Sequence, residues 1–220
     1  MKVSKTTIDV LKNFATINSN LVINPGKKFA TMGVSKDVFA EYESDDEFEK
    51  KIAIFNLPEL LGVVGSFKEP EIDLSDKFLE VKEGKQKVKY IFADESVLTV
   101  PTKSITFPTP DVTFDLTADQ LDIIKRMSGI LGVEDLSFIG NGKKVVARVH
   151  DVKNKTSNNF DVELGDTKDK FNVHLRIERV SKLYGGDYVV DFSNKGISRF
   201  THQGIKLVVY VALEADSSYE

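Results

Sequence analysis

The chain repeats itself. "PGKKFATM" runs from Pro25 to Met32, and "NGKKVVARV" runs from Asn141 to Val149, about half of the 220-residue chain later. In each phrase a Gly beside Pro or Asn supplies the backbone angles of a tight turn, and the alternation after it reads as a strand. Each is expected to be a hairpin tip. The Gly-Lys pair does not make a phosphate-binding loop, which needs four residues between two glycines and then Lys-Ser or Lys-Thr opening a helix. A strand follows here instead.

The elements around the two phrases also recur. "TTIDVLKNFATIN" places Ile8, Val10, Leu11, Phe14, Ala15 and Ile17 on one arc of a helix, with Lys5, Asp9, Lys12, Asn13 and Thr16 opposite. "LTADQLDIIKRMSGIL" does the same with Leu121, Ile124, Met127 and Leu131, and Thr117 is placed to cap it. A short second helix is expected in each half, over Leu57 to Phe67 and over Arg176 to Tyr184. Each follows a strand-like run ("KKIAIF", "KFNVHL") and precedes an alternating meander that ends in "ADES" or "EADS". Two copies of helix, three or four strands, helix and three strands describe a duplicated α+β unit. Between them "SVLTVPTKSITFPTPDV", with three prolines, reads as an extended connector.

Composition narrows the function. The chain is 41% hydrophobic and 29% charged, with no run long and apolar enough for a membrane helix, and "MKVSKTTIDV" lacks an apolar signal core, so no membrane partner is expected. Zero cysteines exclude disulfides, thiolate metal sites and cysteine nucleophiles. His150, His174 and His202 show no ligand-type spacing, the acidic "ESDDEFEKK" lacks the Asp and Gly alternation of a calcium loop, and no Gly-x-Ser-x-Gly context occurs. No metal or cofactor is expected.

A net charge of −4 argues against a simple basic nucleic-acid binder, but charge can be sorted between faces. The four expected helices carry a net +4 and the remainder −8. Lys5 and Lys12 are seven residues apart, about two turns along one side, and Arg179 and Lys182 are neighbours at i, i+3. If both helices of each copy turn to the same side of its sheet, the basic faces share one surface. Such a surface attracts phosphates without reading bases.

At three places the residues resemble one family. "VLKNFATINS", Val10 to Ser19, is similar to the opening helix of the DNA polymerase sliding clamps of T-even-like tailed bacteriophages. "VALEADSSYE" resembles that family's C-terminal strand and tail, and "FPTPDVTFDLTADQL" sits where the family has its connector and the start of its second domain. The middle diverges, while the order of elements agrees along nearly the whole chain.

The resemblance implies an α+β fold of two similar clamp domains, 1–108 with the connector and 109–220, each with antiparallel sheets outside and two helices inside. Three chains make a ring around duplex DNA, bound without sequence specificity, and the protein is not an enzyme. It implies Lys5, Lys12, Lys125, Arg126, Arg176, Arg179 and Lys182 as the residues facing DNA, although Arg126 shares its face with Asp119 and Asp122. It implies that the strand near Lys87 to Ala93 meets the one near Asn159 to Gly165 of a neighbour. An apolar pocket for partner peptides is implied at Val97, Leu98, Val100, Ile105, Phe107, Pro108, Leu213 and Ala215, whose bland role is to cover a domain seam. The implied partners are the DNA polymerase, an ATP-driven clamp loader and late-transcription factors, in the cytoplasm of an infected bacterium. A structural ring of a virion tail and a hydrolase with dispersed carboxylates are the rival readings, and neither accounts for both ends of the chain.

Overall fold

The computed structural model describes residues 1–219, and the chain divides into two compact units, Met1–Ser104 and Ile105–Glu220. Unit 1 starts with helix α1 (Lys5–Ile17), which buries Val10, Leu11, Phe14 and Ile17 as the periodicity predicts. The Ser4 hydroxyl caps it by accepting the Thr7 N–H at 3.2 Å, and Ser4 itself donates through both its N–H and hydroxyl to the Asp46 carboxylate at 2.9 and 2.7 Å. Burial pushes the Asp46 carboxyl up, but hydrogen bonds from Thr7, Ser4 and Ser44 outweigh it and hold the group below the usual range. At the other end the Asn18 side-chain amide donates to the carbonyls of Met32 and Thr99, both at 2.8 Å, and the Asn20 side-chain Oδ1 accepts the Thr99 N–H at 3.0 Å.

Strands β1 (Leu21–Ile23), β2 (Gly26–Met32), β3 (Val38–Phe48) and β4 (Ile52–Ile54) follow. Helix α2 (Leu57–Gly65) comes next, then the meander β5 (Glu71–Leu74), β6 (Phe78–Glu83) and β7 (Gln86–Ile91). The core gathers on Phe29, whose ring meets Phe14, Tyr42 and Phe48 edge-on at 5.5 to 5.8 Å between centroids.

Unit 2 repeats the plan. Strand β8 (Val112–Leu116) leads into helix α3 (Ala118–Leu131), where Thr117 and Gln120 form a full capping box and Gly132 ends the helix at φ 65°. Then come β9 (Asp135–Asn141), β10 (Lys144–His150), β11 (Phe160–Asp166), β12 (Lys170–Arg176), helix α4 (Ile177–Val180), β13 (Tyr188–Ser193), β14 (Ile197–His202), β15 (Leu207–Ala212) and β16 (Ser218–Tyr219). Its strands lie in the orders β11-β10-β9-β12-β16 and β8-β13-β14-β15, all antiparallel.

The duplication extends to a leading strand that the sequence reading did not include. β8 pairs with β13 over Val112 to Leu116. In unit 1 the equivalent strand shrinks to Met1, whose carbonyl accepts the Ile72 N–H of β5 at 3.0 Å and whose amino group donates back to the Ile72 carbonyl.

Two expectations need correction. "NGKKVVARV" is a hairpin tip: Gly142 takes φ 79°, the Asn141 side chain accepts the N–H groups of Lys143 and Lys144, and β9 pairs with β10. "PGKKFATM" is not, because β1 pairs with β4 while β2 pairs with β3. Pro25 has no N–H to offer a ladder between β1 and β2, which leaves that rung open in copy one. The second helix of copy two is also shorter than Arg176 to Tyr184. After Val180 the chain tightens into turns closed by Lys182 N–H to Arg179 and Leu183 N–H to Val180, and Gly185 with Gly186 (φ 143°) ends the run.

On the face of the β9 sheet opposite Leu136 and Phe138, Ser137 is buried between two imidazoles, its hydroxyl 2.7 Å from His150 Nε2 and 2.7 Å from His174 Nδ1. The fold thus brings together two histidines that lie 24 residues apart in the chain. Among the described residues no group of three or more His, Cys, Asp or Glu is placed to hold a metal ion. Burial pushes the His150 imidazole below its ordinary range, with His174 and Arg148 adding and Asp135 and Asp161 opposing. The folded protein therefore holds this proton less tightly than the unfolded chain, where His titrates near about 6.5. Its share of stability is complete above that value and is lost as pH falls toward the folded pKa. Thermal melts from about pH 7 to about pH 5 should show a steeper fall for wild type than for His150→Gln; parallel slopes would remove His150 as the cause.

Candidate nucleic-acid interface

Each expected DNA-facing residue has a definite place. Lys5 and Lys12 lie exposed on α1; Lys12 pairs with Asp9 one turn back at 3.1 Å, a surface contact of little energetic weight. On α3 Arg126 is exposed beside Asp122, whereas Lys125 is half-buried and its ammonium donates to the Leu183 carbonyl at 3.1 Å. Burial lowers the Lys125 pKa, against the pull of Asp122. That lysine ties α3 to the turn after α4.

Arg176 and Arg179 are committed to carboxylates. Arg176, at the end of β12, pairs with Glu134 and Asp135, both at 2.5 Å. Arg179 on α4 pairs with Glu214 at 2.6 Å, and its side chain is 18% exposed. Lys182 is half-buried in the turn that follows. The sequence reading missed Glu134, Asp135 and Glu214, because it weighed charge along helix faces and not across strands. The register Asp135↔Arg176 between β9 and β12 is what places that pair.

The exposed face of α2, formed by Pro58, Glu59, Gly62, Gly65 and Ser66, carries no cation. The positive charge held away from carboxylates is therefore sparser than the helix sums suggest: Lys5 in unit 1 and Arg126 in unit 2 are exposed and make no ion pair among the described residues. Sparse charge of this kind attracts a polyanion weakly and offers no donor pattern that could read bases.

The expected pocket residues divide between the units. In unit 1 Val97 is 60% exposed, while Leu98 and Val100 are half-buried. In unit 2 Ile105, Phe107, Pro108 and Leu213 are half-buried and Ala215 is exposed. Phe107 is pinned: its ring lies 6.2 Å from that of Tyr210 and 4.5 Å beneath the Arg199 guanidinium, which is itself held by Asp191 at 2.7 Å.

A family model described as DNA polymerase processivity factor matches residues 2–100. Over 98% of this chain and the whole of the relative, the sequence is 29% identical to the sliding clamp of Vibrio phage KVP40. It is 28% identical over its full length to the sliding clamp of Escherichia phage RB69, which it also covers completely. Among solved structures, a PCNA of A. fulgidus with the C-terminal region of FEN-1 bound superposes with a TM-score of 0.72 at 13% identity, covering 99% of this chain and 98% of that one. The beta clamp of Helicobacter pylori bound to a DNA ligase peptide gives 0.72 at 11% identity, over 97% of this chain and 65% of that one. The two structures share the fold, and the two phage relatives share the sequence from end to end. With its duplicated α+β unit and these matches, the chain is similar from end to end to the sliding clamps of T-even-like bacteriophages.

Proposed function

We propose that three copies close head to tail into a ring around duplex DNA and tether the replicative DNA polymerase for processive synthesis. The observation that carries this reading is the duplication: one helix-four strands-helix-three strands unit used twice per chain, so that three chains set six such units around one axis. A heterologous contact that closes on itself gives a ring. Retention is then topological, so the DNA contacts stay weak and screened, which permits sliding.

In this reading the clamp domains are 1–108 and 109–220, and the helices face the DNA. Lys5, Lys12, Arg126 and Lys182 draw the phosphates, while Lys125, Arg176 and Arg179 chiefly hold α3 and α4 in place. Peptides of the polymerase and of an ATP-driven loader dock on the apolar residues Val97, Leu98, Val100, Ile105, Phe107, Pro108, Leu213 and Ala215. The protein works in the cytoplasm of the infected host and performs no catalysis of its own. Late-transcription factors are further partners in this reading.

Primer extension on a long template with the cognate polymerase, loader and ATP tests the reading. Product length should rise when the chain is added, and retention should be lost when circular DNA is linearised. Unchanged product length in a system shown to be complete with a known clamp would overturn it.

A further inference from the structure

Residues 100–110 of the connector are barely held. They form no helix or strand, Pro101, Pro108 and Pro110 have no N–H to give, and among the described residues no hydrogen bond or ion pair reaches them. One ring is the exception. Phe107 lies 4.5 Å below the Arg199 guanidinium and 6.2 Å from the Tyr210 ring, centroid to centroid.

The seat of that ring is built across four strands of unit 2. Thr113 of β8 lies opposite Asp191 of β13, Asp191 opposite Arg199 of β14, and Arg199 opposite Tyr210 of β15, so the four side chains form one row on one face. The other face sends Val190, Phe200 and Val209 into the core, all without exposed surface. Along the row the groups fix one another: Thr113 Oγ1 donates to Asp191 Oδ1 at 2.6 Å, and Arg199 donates to Asp191 Oδ2 through Nε at 2.9 Å and Nη2 at 2.7 Å. Asp191 and Tyr210 are only 4% and 6% exposed, although they look away from the core. A guanidinium held in this way keeps its flat face still, and a fixed flat cation beside an aromatic ring is a receptor for one more ring. Phe107 fills it.

Resting on the docking reading above, we propose that Phe107 is the resident occupant of a ring-binding subsite formed by Arg199 and Tyr210, and that a partner peptide gains this subsite only when Phe107 has left. Within the docking set Phe107 is then a stopper and not a wall. Thr113 and Asp191 are positioning residues, which act through Arg199. Departure of the stopper breaks no hydrogen bond, because the segment that carries it makes none, and Arg199 keeps its carboxylate partner throughout. The subsite therefore stays formed when its occupant leaves. Until a partner arrives the apolar surface remains covered, and the peptide's apparent affinity is lowered by the fraction of chains that are open.

Trypsin reads the connector at one bond. Lys103 is exposed, four residues before Phe107, and no other lysine or arginine lies between Lys89 and Lys125. Where reclosing outpaces cleavage, the cut after Lys103 tracks the open population. Phe107→Ala should be cut there about three- to thirtyfold faster than wild type, and Phe107→Tyr, which keeps the ring, at close to the wild-type rate. Cleavage after Lys125 in α3 should not change, which reports unit 2 as folded. Asp191→Asn should speed the cut at Lys103 in the wild-type chain and add nothing to Phe107→Ala. Equal rates for wild type and Phe107→Ala overturn the occupancy; equal acceleration by Asp191→Asn in both backgrounds overturns its positioning part.

A labelled terminal peptide of the cognate polymerase, titrated onto the full chain, tests the competition. It should bind Phe107→Ala more tightly than wild type, by the factor by which that variant is cut faster, since both report the open fraction. Weaker binding by Phe107→Ala makes Phe107 a wall of the docking site, and unchanged binding despite faster cleavage separates the two events; either result overturns this inference and leaves the docking reading standing. A peptide that binds neither wild type nor Phe107→Ala removes the docking reading, and this inference with it.

Discussion

Reversing charge at Lys5, Lys12 and Arg126 together is expected to cut loading and retention on circular DNA by about 10- to 100-fold near physiological salt. The basis is counterion release: each phosphate contact contributes a slope of about 0.9 to the logarithmic salt dependence, so three lost contacts multiply. Each reversal removes two units, taking the chain from −4 to −10. All three side chains are exposed, and the one ion pair disturbed, Lys12 with Asp9, is a surface pair, so melting temperature and ring mass should stay at wild-type values. Retention measured after removal of the loader decides the matter; unchanged lifetime in a folded triple variant would take these residues out of DNA contact. Arg179→Glu is a poorer probe, since it sets two carboxylates together where Arg179 now meets Glu214.

Phe138→Ala is expected to cost about 3–5 kcal/mol, among the large effects on stability open to one residue in unit 2. Phe138 has no exposed surface and stands mid-strand on β9, between Ala147 of β10 and Val173 of β12. Its ring centroid lies 5.4 Å from that of Phe114 and 5.3 Å from that of Phe192, and Phe171 meets Phe192 from the far side. Removing the ring leaves a void that the backbone, hydrogen-bonded on both sides, is unable to fill. The melting temperature should fall by about 10–20 °C. The neighbouring Ile139, half-buried on the opposite face, serves as the control, and Ile139→Ala should cost much less. A drop of only a few degrees for Phe138→Ala would mean that the aromatic cluster is not what holds the sheet to its partners.

Local signals in the sequence translated directly into structure. Thr117 and Gln120 sit three apart before an apolar stripe, and they form the capping box; Asn141-Gly142 makes the turn its composition calls for. Where neighbours in sequence are also neighbours in space, propensity and periodicity are sufficient. The misses all depend on distant partners. Arg176 reads as a free cation on a helix face until the β9-β12 register brings Asp135 opposite, and Lys125 reads the same way until the turn after α4 brings the Leu183 carbonyl within reach. The end of α4 at Val180 has no stop signal in the residues before Gly185-Gly186, whereas the open rung between β1 and β2 was legible in principle from Pro25 but was masked by the stronger pull of the repeat. Family likeness supplied the ring and the partners, which no periodicity contains.

The connector carries one more implication. Its start is fastened where Asn18 and Asn20 hold Thr99, and its end where Phe107 lies beneath Arg199. Only residues 100–106 run between the two fastenings, a tether of seven residues whose full stretch is about 25 Å. Lengthening or stiffening that short leash leaves both knots tied, which makes its length an independently adjustable dimension of the chain.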